Sequence, residues 1–138
     1  MAELPVFVLD TFALLAYLQD EAGASRVETL LENAGRGKSR VCISLINLGE
    51  MLYIVERREG VAKAQDVLAL VQQLPLEVLP ADEHSVFSAA HIKATHALSY
   101  ADAFVVACAI QENAVVLTSD PEFESVAPLI AVEWLNDK

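Results

Sequence analysis

The chain has 138 residues, 54% of them hydrophobic, with only five Gly and five Pro. That is the length of one domain, spanning residues 1–138, with enough apolar surface for a core, and it excludes a disordered or fibrous chain. A net charge of −11 and a pI near 4.5 exclude binding of nucleic acid through overall charge, so a phosphate ligand must be met by local cations or by metal.

Val6 to Leu9 is a short apolar run of strand type that Asp10-Thr11 ends. From Thr11 to Gln19 the apolar residues suit a helix packed on a sheet, and Ser25 with Glu28 three residues on signals a second helix, ending near Ala34 before Gly35. Val41 to Ile43 is the next strand. Ser44 can cap a helix running to about Arg58 and stopped by Gly60, with Leu45, Leu48, Leu52 and Val55 as its core face. Glu50 falls on the opposite side with Ile46, Tyr53, Ile54 and Arg57, a second face that predicts cover from a groove or another subunit; pairing with Arg57 or contact with solvent is the simpler reading. A helix over 61–73, a strand at Leu76 to Leu79 and a helix from Glu83 to Thr95 capped by Asp82 follow.

The central stretch is SYADAFVVACAIQENAVVLTSD, Ser99 to Asp120. It reads as an almost wholly apolar helix from Tyr100 to Glu112, a turn at Asn113 and a buried strand at Ala114 to Thr118. Asp102 stands in the helix's first turn and Asp120 follows the strand. No Lys or Arg lies nearby to pair with them, which brings a bound metal into consideration. Each acid also has a structural reading: Ser99 and Asp102 form a capping box, and Asp120 before Pro121 is a good N-cap. Pro121 to Val126 is a short helix or turn, and Ile130 to Trp134 a last strand.

Strands separated by helices imply parallel pairing, and in open parallel sheets functional groups gather beyond the carboxyl ends of the strands. Asp10 and Asp120 follow strands directly, while Glu50 and Asp102 lie within the first two turns of helices, so the four acids are expected at one edge. Clustered carboxylates must protonate or share a cation. Oxygen-only donors select Mg2+ or Mn2+ over zinc, and such an ion serves phosphoryl chemistry. Basic residues that could meet phosphate are Arg36, Lys38 and Arg40 in one loop, and Arg57, Arg58 and Lys63 near a helix end; solvated surface is the competing reading. Cys42 and Cys108 have no ligand spacing and read as reduced core residues. No apolar run approaches the ~18 residues of a membrane span, and MAELPVFVLD carries an acid where a signal peptide needs bases, so the expected compartment is the cytoplasm.

VLDTFALLAYL around Asp10, SLINLGEMLY around Glu50, SYADAFVVACA around Asp102 and VVLTSDPEF around Asp120 together resemble the PIN-domain ribonucleases, and among them the VapC-like toxins of toxin-antitoxin pairs. The resemblance implies a three-layer α/β/α fold on a five-stranded parallel sheet and cleavage of single-stranded RNA by water activated at a Mg2+ or Mn2+ site formed by Asp10, Glu50, Asp102 and Asp120. Asp10, Glu50 and Asp102 match the core acids, Asp120 the fourth, and Thr118 a supporting hydroxyl; Asn47 and Thr11 lie beside matching acids. It also implies a homodimer and a cognate antitoxin that blocks the acidic groove, with Ile46, Tyr53 and Ile54 as contact surface; Arg57 or Arg58 is our own choice for a phosphate contact.

Other readings fit less well. A receiver-type phosphoacceptor needs an acidic pair near the first strand and a late Lys, and a haloacid-dehalogenase-like phosphatase needs a second Asp where this chain has Phe12. His84, His91 and His96 share one polar helix or its end and read as surface rather than as RNA-cleaving groups. A catalytically weak or inactive PIN-like module that binds RNA or protein is the main alternative.

Overall fold

The computed structural model describes residues 3–135. Strands β1 (Val6–Leu9), β2 (Arg40–Ser44), β3 (Glu77–Leu79), β4 (Val115–Thr118) and β5 (Ala131–Trp134) form one parallel sheet in the order β3-β2-β1-β4-β5. Between them run α1 (Thr11–Leu18), α2 (Ala24–Gly35), α3 (Leu45–Glu59), α4 (Val61–Val71), α5 (Glu83–Thr95) and α6 (Tyr100–Glu112), with a 3-10 helix at Pro121–Val126 before β5. No helix among the described residues is long and apolar enough to cross a membrane.

Side chains of the inner strands β1, β2 and β4 alternate between two apolar layers, so both faces of the sheet's centre are covered, while the edge strands β3 and β5 are largely exposed. Phe7, Leu9, Val41, Ile43 and Leu117 pack with α1 to α4. Val8, Cys42 and Val116 turn the other way, against α5, α6 and the 3-10 helix. The three-layer α/β/α architecture with a five-stranded parallel sheet is the one expected. Helix α6 lies so deep that every residue from Ala103 to Ala109 is buried. Cys42 and Cys108 are buried free thiols, pushed up by burial to about 12 and about 11.

Most predicted helix ends form as read. Ser44, Asp82, Ser99 and Asp120 each accept a backbone N–H from the turn they open, and Gly60 (φ 92°) and Asn113 (φ 52°) close α3 and α6. Ser25 is not the cap of α2. That helix starts at Ala24 after Gly23, whose φ of 94° is a left-handed turn and where an added Cβ would stand 3.1 Å from Leu135.

Two further expectations are corrected. The buried face of α3 is Asn47, Leu48, Met51 and Val55, whereas Leu45 is 49% exposed. Asn47 donates to the Thr11 hydroxyl and to the Ala101 carbonyl, and these bonds roll the helix so that a polar residue faces inward. Arg40 belongs to β2 rather than to a basic loop, and it is held by Glu77 of β3 and Glu112 at the end of α6.

Phe104 is 1% exposed in the α5/α6 layer and Phe87 is 65% exposed. Phe104→Ala should therefore cost roughly 3–5 kcal/mol in urea unfolding, and Phe87→Ala no more than about 0.5 kcal/mol.

Candidate active site

The chain passes from β1 to β2 and β3 on one side, then returns to place β4 on the other side of β1. A crevice therefore opens beyond the carboxyl ends of β1 and β4. Leu9 pairs with Leu117 in this register, and the Asp10 N–H donates to the Leu117 carbonyl at 3.3 Å. Asp10 is thereby set level with Thr118.

Asp10 is 1% exposed and both of its carboxylate oxygens are engaged. One accepts the Ala13 N–H at 2.8 Å, which caps α1, and the other accepts the Thr118 hydroxyl at 2.5 Å. The same hydroxyl oxygen accepts the Asp120 N–H at 3.0 Å. Thr118 thus connects the acid after β1 to the acid after β4.

Asp102, Asp120 and Glu122 each bring a carboxylate oxygen to within 4.8 Å of the other two. Asp102 is carried by the first turn of α6 and Asp120 by the cap of the 3-10 helix, whose Pro-Glu start brings in Glu122. Glu122 was not anticipated. The sign in the sequence is a second acid two residues past the cap, in the same first turn.

Asp10 and Glu50 stand outside that trio, within reach of its charge. Burial pushes the Asp10 carboxyl up to about 6, with Asp120 and Glu50 adding repulsion against the hydrogen bonds from Thr118 and Ala13. Burial pushes Asp102 up to about 7, and the charges of Asp10, Asp120 and Glu50 act in the same direction. No Lys or Arg among the described residues is ion-paired to any of these acids.

Glu50 does not pair with Arg57. Its oxygens accept the Thr11 hydroxyl at 2.5 Å and the Tyr53 hydroxyl at 3.4 Å, while the Arg57 guanidinium lies over the Tyr53 ring at 4.9 Å. Ile46 and Tyr53 are exposed, whereas Ile54 is half-buried against the α1-to-α4 layer. Asn47 is fully buried, donates to Thr11 and Ala101, and leaves its Oδ1 without a partner. His84 and His91 are exposed on α5, and His96 at its end is bound to Thr95. Of the basic residues singled out, Arg40 is engaged in ion pairs with Glu77 and Glu112.

The donor set suits a hard divalent cation. Every candidate ligand is an oxygen, and the trio's oxygens lie within 4.8 Å of one another, near enough to share one ion. Burial is the larger cause of the raised Asp10 and Asp102 carboxyls, and a cation there would favour their charged forms and relieve the repulsion that adds to it.

Both carboxyls titrate higher in the folded chain than the ordinary 3.8, so between pH 4 and 7 these two groups hold more protons in the folded state than in the unfolded one and their contribution to stability falls as pH rises. Metal-free protein should therefore melt at a lower temperature at pH 7.5 than at pH 5, and Asp102→Asn should flatten the profile; a melting temperature that rises over the same range contradicts the site's electrostatics.

Residues 7–129 match the family model described as the PIN domain. No curated protein matches the chain. Among solved structures, the DNA-bound VapBC of Salmonella typhimurium aligns at 26% identity over 96% of this chain and 99% of that one, with a TM-score of 0.74. VapBC2 of Rickettsia felis, bound to a promoter DNA fragment, aligns at 20% identity over 95% and 99%, with a TM-score of 0.73. VapC20 of Mycobacterium tuberculosis, a toxin cleaving the sarcin-ricin loop, aligns at 22% identity over 87% and 94%, with a TM-score of 0.64. With most of its length matched by that model, and with acids at the ends of β1 and β4, this chain belongs to the PIN-domain family.

Proposed function

We propose that this protein is a metal-dependent endoribonuclease that cleaves single-stranded RNA, and that it is the VapC-like toxin of a toxin-antitoxin pair. The observation that carries the reading is the gathering of Asp10, Glu50, Asp102 and Asp120, with Glu122, at one end of a PIN sheet, where burial and mutual repulsion leave two carboxyls short of compensation. Asp102, Asp120 and Glu122 would hold Mg2+ or Mn2+, with Asp10 and Glu50 beside them. Such an ion lowers the pKa of water and neutralises charge on a phosphodiester.

The remaining steps belong to the chain's own groups. Thr118 fixes the Asp10 carboxylate and the Asp120 backbone in one frame, so that neither must reorganise as charge develops. Glu50, held by Thr11 and Tyr53, would accept a proton from the attacking water as its oxygen bonds to phosphorus, and the leaving oxygen would take a proton from solvent as its bond to phosphorus breaks. Arg57 and Arg58, at the end of α3, supply positive charge for the RNA backbone. The similarity to VapBC complexes supports a cognate antitoxin as partner, and the exposed Ile46 and Tyr53 support a contact surface for a homodimer. We read residues 1–138 as a single domain that acts in the cytoplasm.

Asp10→Asn and Asp102→Asn should each reduce cleavage of total cellular RNA to background while circular dichroism stays unchanged, because Asn keeps the shape, and at position 10 one oxygen to cap α1, but not the charge. Excess chelator should abolish cleavage by the native chain and added Mg2+ restore it; activity that persists in both variants or in chelator excludes this site.

Mn2+ at about 100 times its dissociation constant should stabilise the fold by ~2.7 kcal/mol, read as a rise in melting temperature. No rise at millimolar metal, together with no cleavage, favours a PIN-like module that binds RNA or protein without cutting it.

A further inference from the structure

An acidic nuclease must still bring a phosphate chain to its carboxylates, and two of its arginines are committed to carboxylates of their own. Arg26 is held by Glu133 at 2.6 Å and Arg40 by Glu77 at 2.8 Å, while Arg57 lies on the Tyr53 ring. Arg58 makes no ion pair among the described residues, and it lines a pocket of about 370 Å3. That volume lies in the ~300–1,000 Å3 range of small-ligand sites.

One face of α1 and its carboxyl end form a wall of this pocket, since Phe12, Leu15, Ala16 and Gln19 recur at helical spacing. Arg58, from the end of α3, and Ser119, from the link between β4 and the 3-10 helix, also line it. Two lining residues are chain neighbours of the acidic site. Phe12 follows Thr11, whose hydroxyl holds Glu50, and Ser119 lies between Thr118 and Asp120. Phe12 is 49% exposed. A single exposed Phe is ordinary on a protein surface. Here the ring shares a pocket with the Arg58 guanidinium, the Glu21 carboxylate, a hydroxyl and an amide, at the edge of a group of carboxylates that repel any polyanion lacking a cation to receive it.

We infer that this pocket is a nucleobase subsite for the nucleotide next to the cleaved phosphate. The base stacks on Phe12, Arg58 takes the adjoining backbone phosphate, and Gln19 and Ser119 offer hydrogen bonds to the base edge. The inference rests on the nuclease reading above and adds the element that selects where the RNA is cut. Stacking on an aromatic face tolerates every base, so Phe12 supplies affinity and the polar groups supply preference.

The test uses the full chain and a short fluorescein-labelled single-stranded RNA of mixed sequence, followed by anisotropy in chelator and in Mn2+. Phe12→Ala and Arg58→Ala should each weaken binding about tenfold, equivalent to ~1.4 kcal/mol. Phe12→Trp should keep the affinity, and Arg58→Ala should lower the salt dependence by about one phosphate contact. Leu129→Ala, in a separate pocket between α6 and β5, should change nothing. In mapped ends from total cellular RNA, Phe12→Ala should also lose the native preference at the nucleotide flanking the cut. Native-like RNA affinity in both Phe12→Ala and Arg58→Ala overturns the subsite, as does loss of a copurifying protein partner with RNA binding intact, which would make the pocket a protein dock. Should the native chain cut no RNA with either metal, the nuclease reading fails on its own, and the anisotropy series still decides the pocket.

Discussion

One threonine hydroxyl couples the two halves of the site. Thr118 Oγ1 donates to Asp10 beyond β1 and accepts the N–H of Asp120 beyond β4, so two neighbouring parallel strands share one polar junction at their carboxyl ends. Asp10 is almost wholly buried there, and its other oxygen caps α1. The same carboxylate therefore orients a helix and carries charge where charge is costly. Two good hydrogen bonds do not fully offset that cost, since the group remains raised to about 6.

A second polar chain fixes the helices around this junction. Asn47 of α3 donates to the Ala101 carbonyl of α6 and to Thr11 of α1, and Thr11 donates onward to Glu50 of α3. Each link starts beside an acid: Ala101 precedes Asp102, and Thr11 follows Asp10. The relative placement of the acids is thus set by hydrogen bonds inside the protein rather than by flexible side chains reaching out from a surface. The unpartnered Asn47 Oδ1 is the one buried side-chain acceptor left open among the described residues, and it belongs to this network. Buried polar networks of this kind favour one arrangement of their helices over others because a shift in any member leaves a donor or acceptor unpaired.

The cations are distributed by a different logic. Arg26 joins α2 to β5 through Glu133, and Arg40 joins β2, β3 and α6 through Glu77 and Glu112. These partly exposed pairs contribute little stability each, yet they occupy two guanidiniums that would otherwise be free for phosphate. At the end of α3, Arg57 and Arg58 make no ion pair among the described residues.

Periodicity, caps and apolar runs in the amino-acid sequence determined the element order, the parallel class of the sheet and the presence of acids after β1 and β4. These are local signals, and local signals survive folding: Ser44, Asp82, Ser99 and Asp120 all cap the helices they precede. Only the tertiary structure decided which side of α3 is buried, because Asn47 is drawn inward by partners 36 and 54 residues away. It also decided that Glu122 joins Asp102 and Asp120, that Glu50 is held by Thr11 rather than Arg57, and that Arg40 is an ion-pair partner rather than free surface. The physical reason is the same in each case: hydrogen bonds and charge fall off within a few ångströms, so the partners of a polar side chain are set by which strands and helices lie side by side, and separation along the chain carries no record of that.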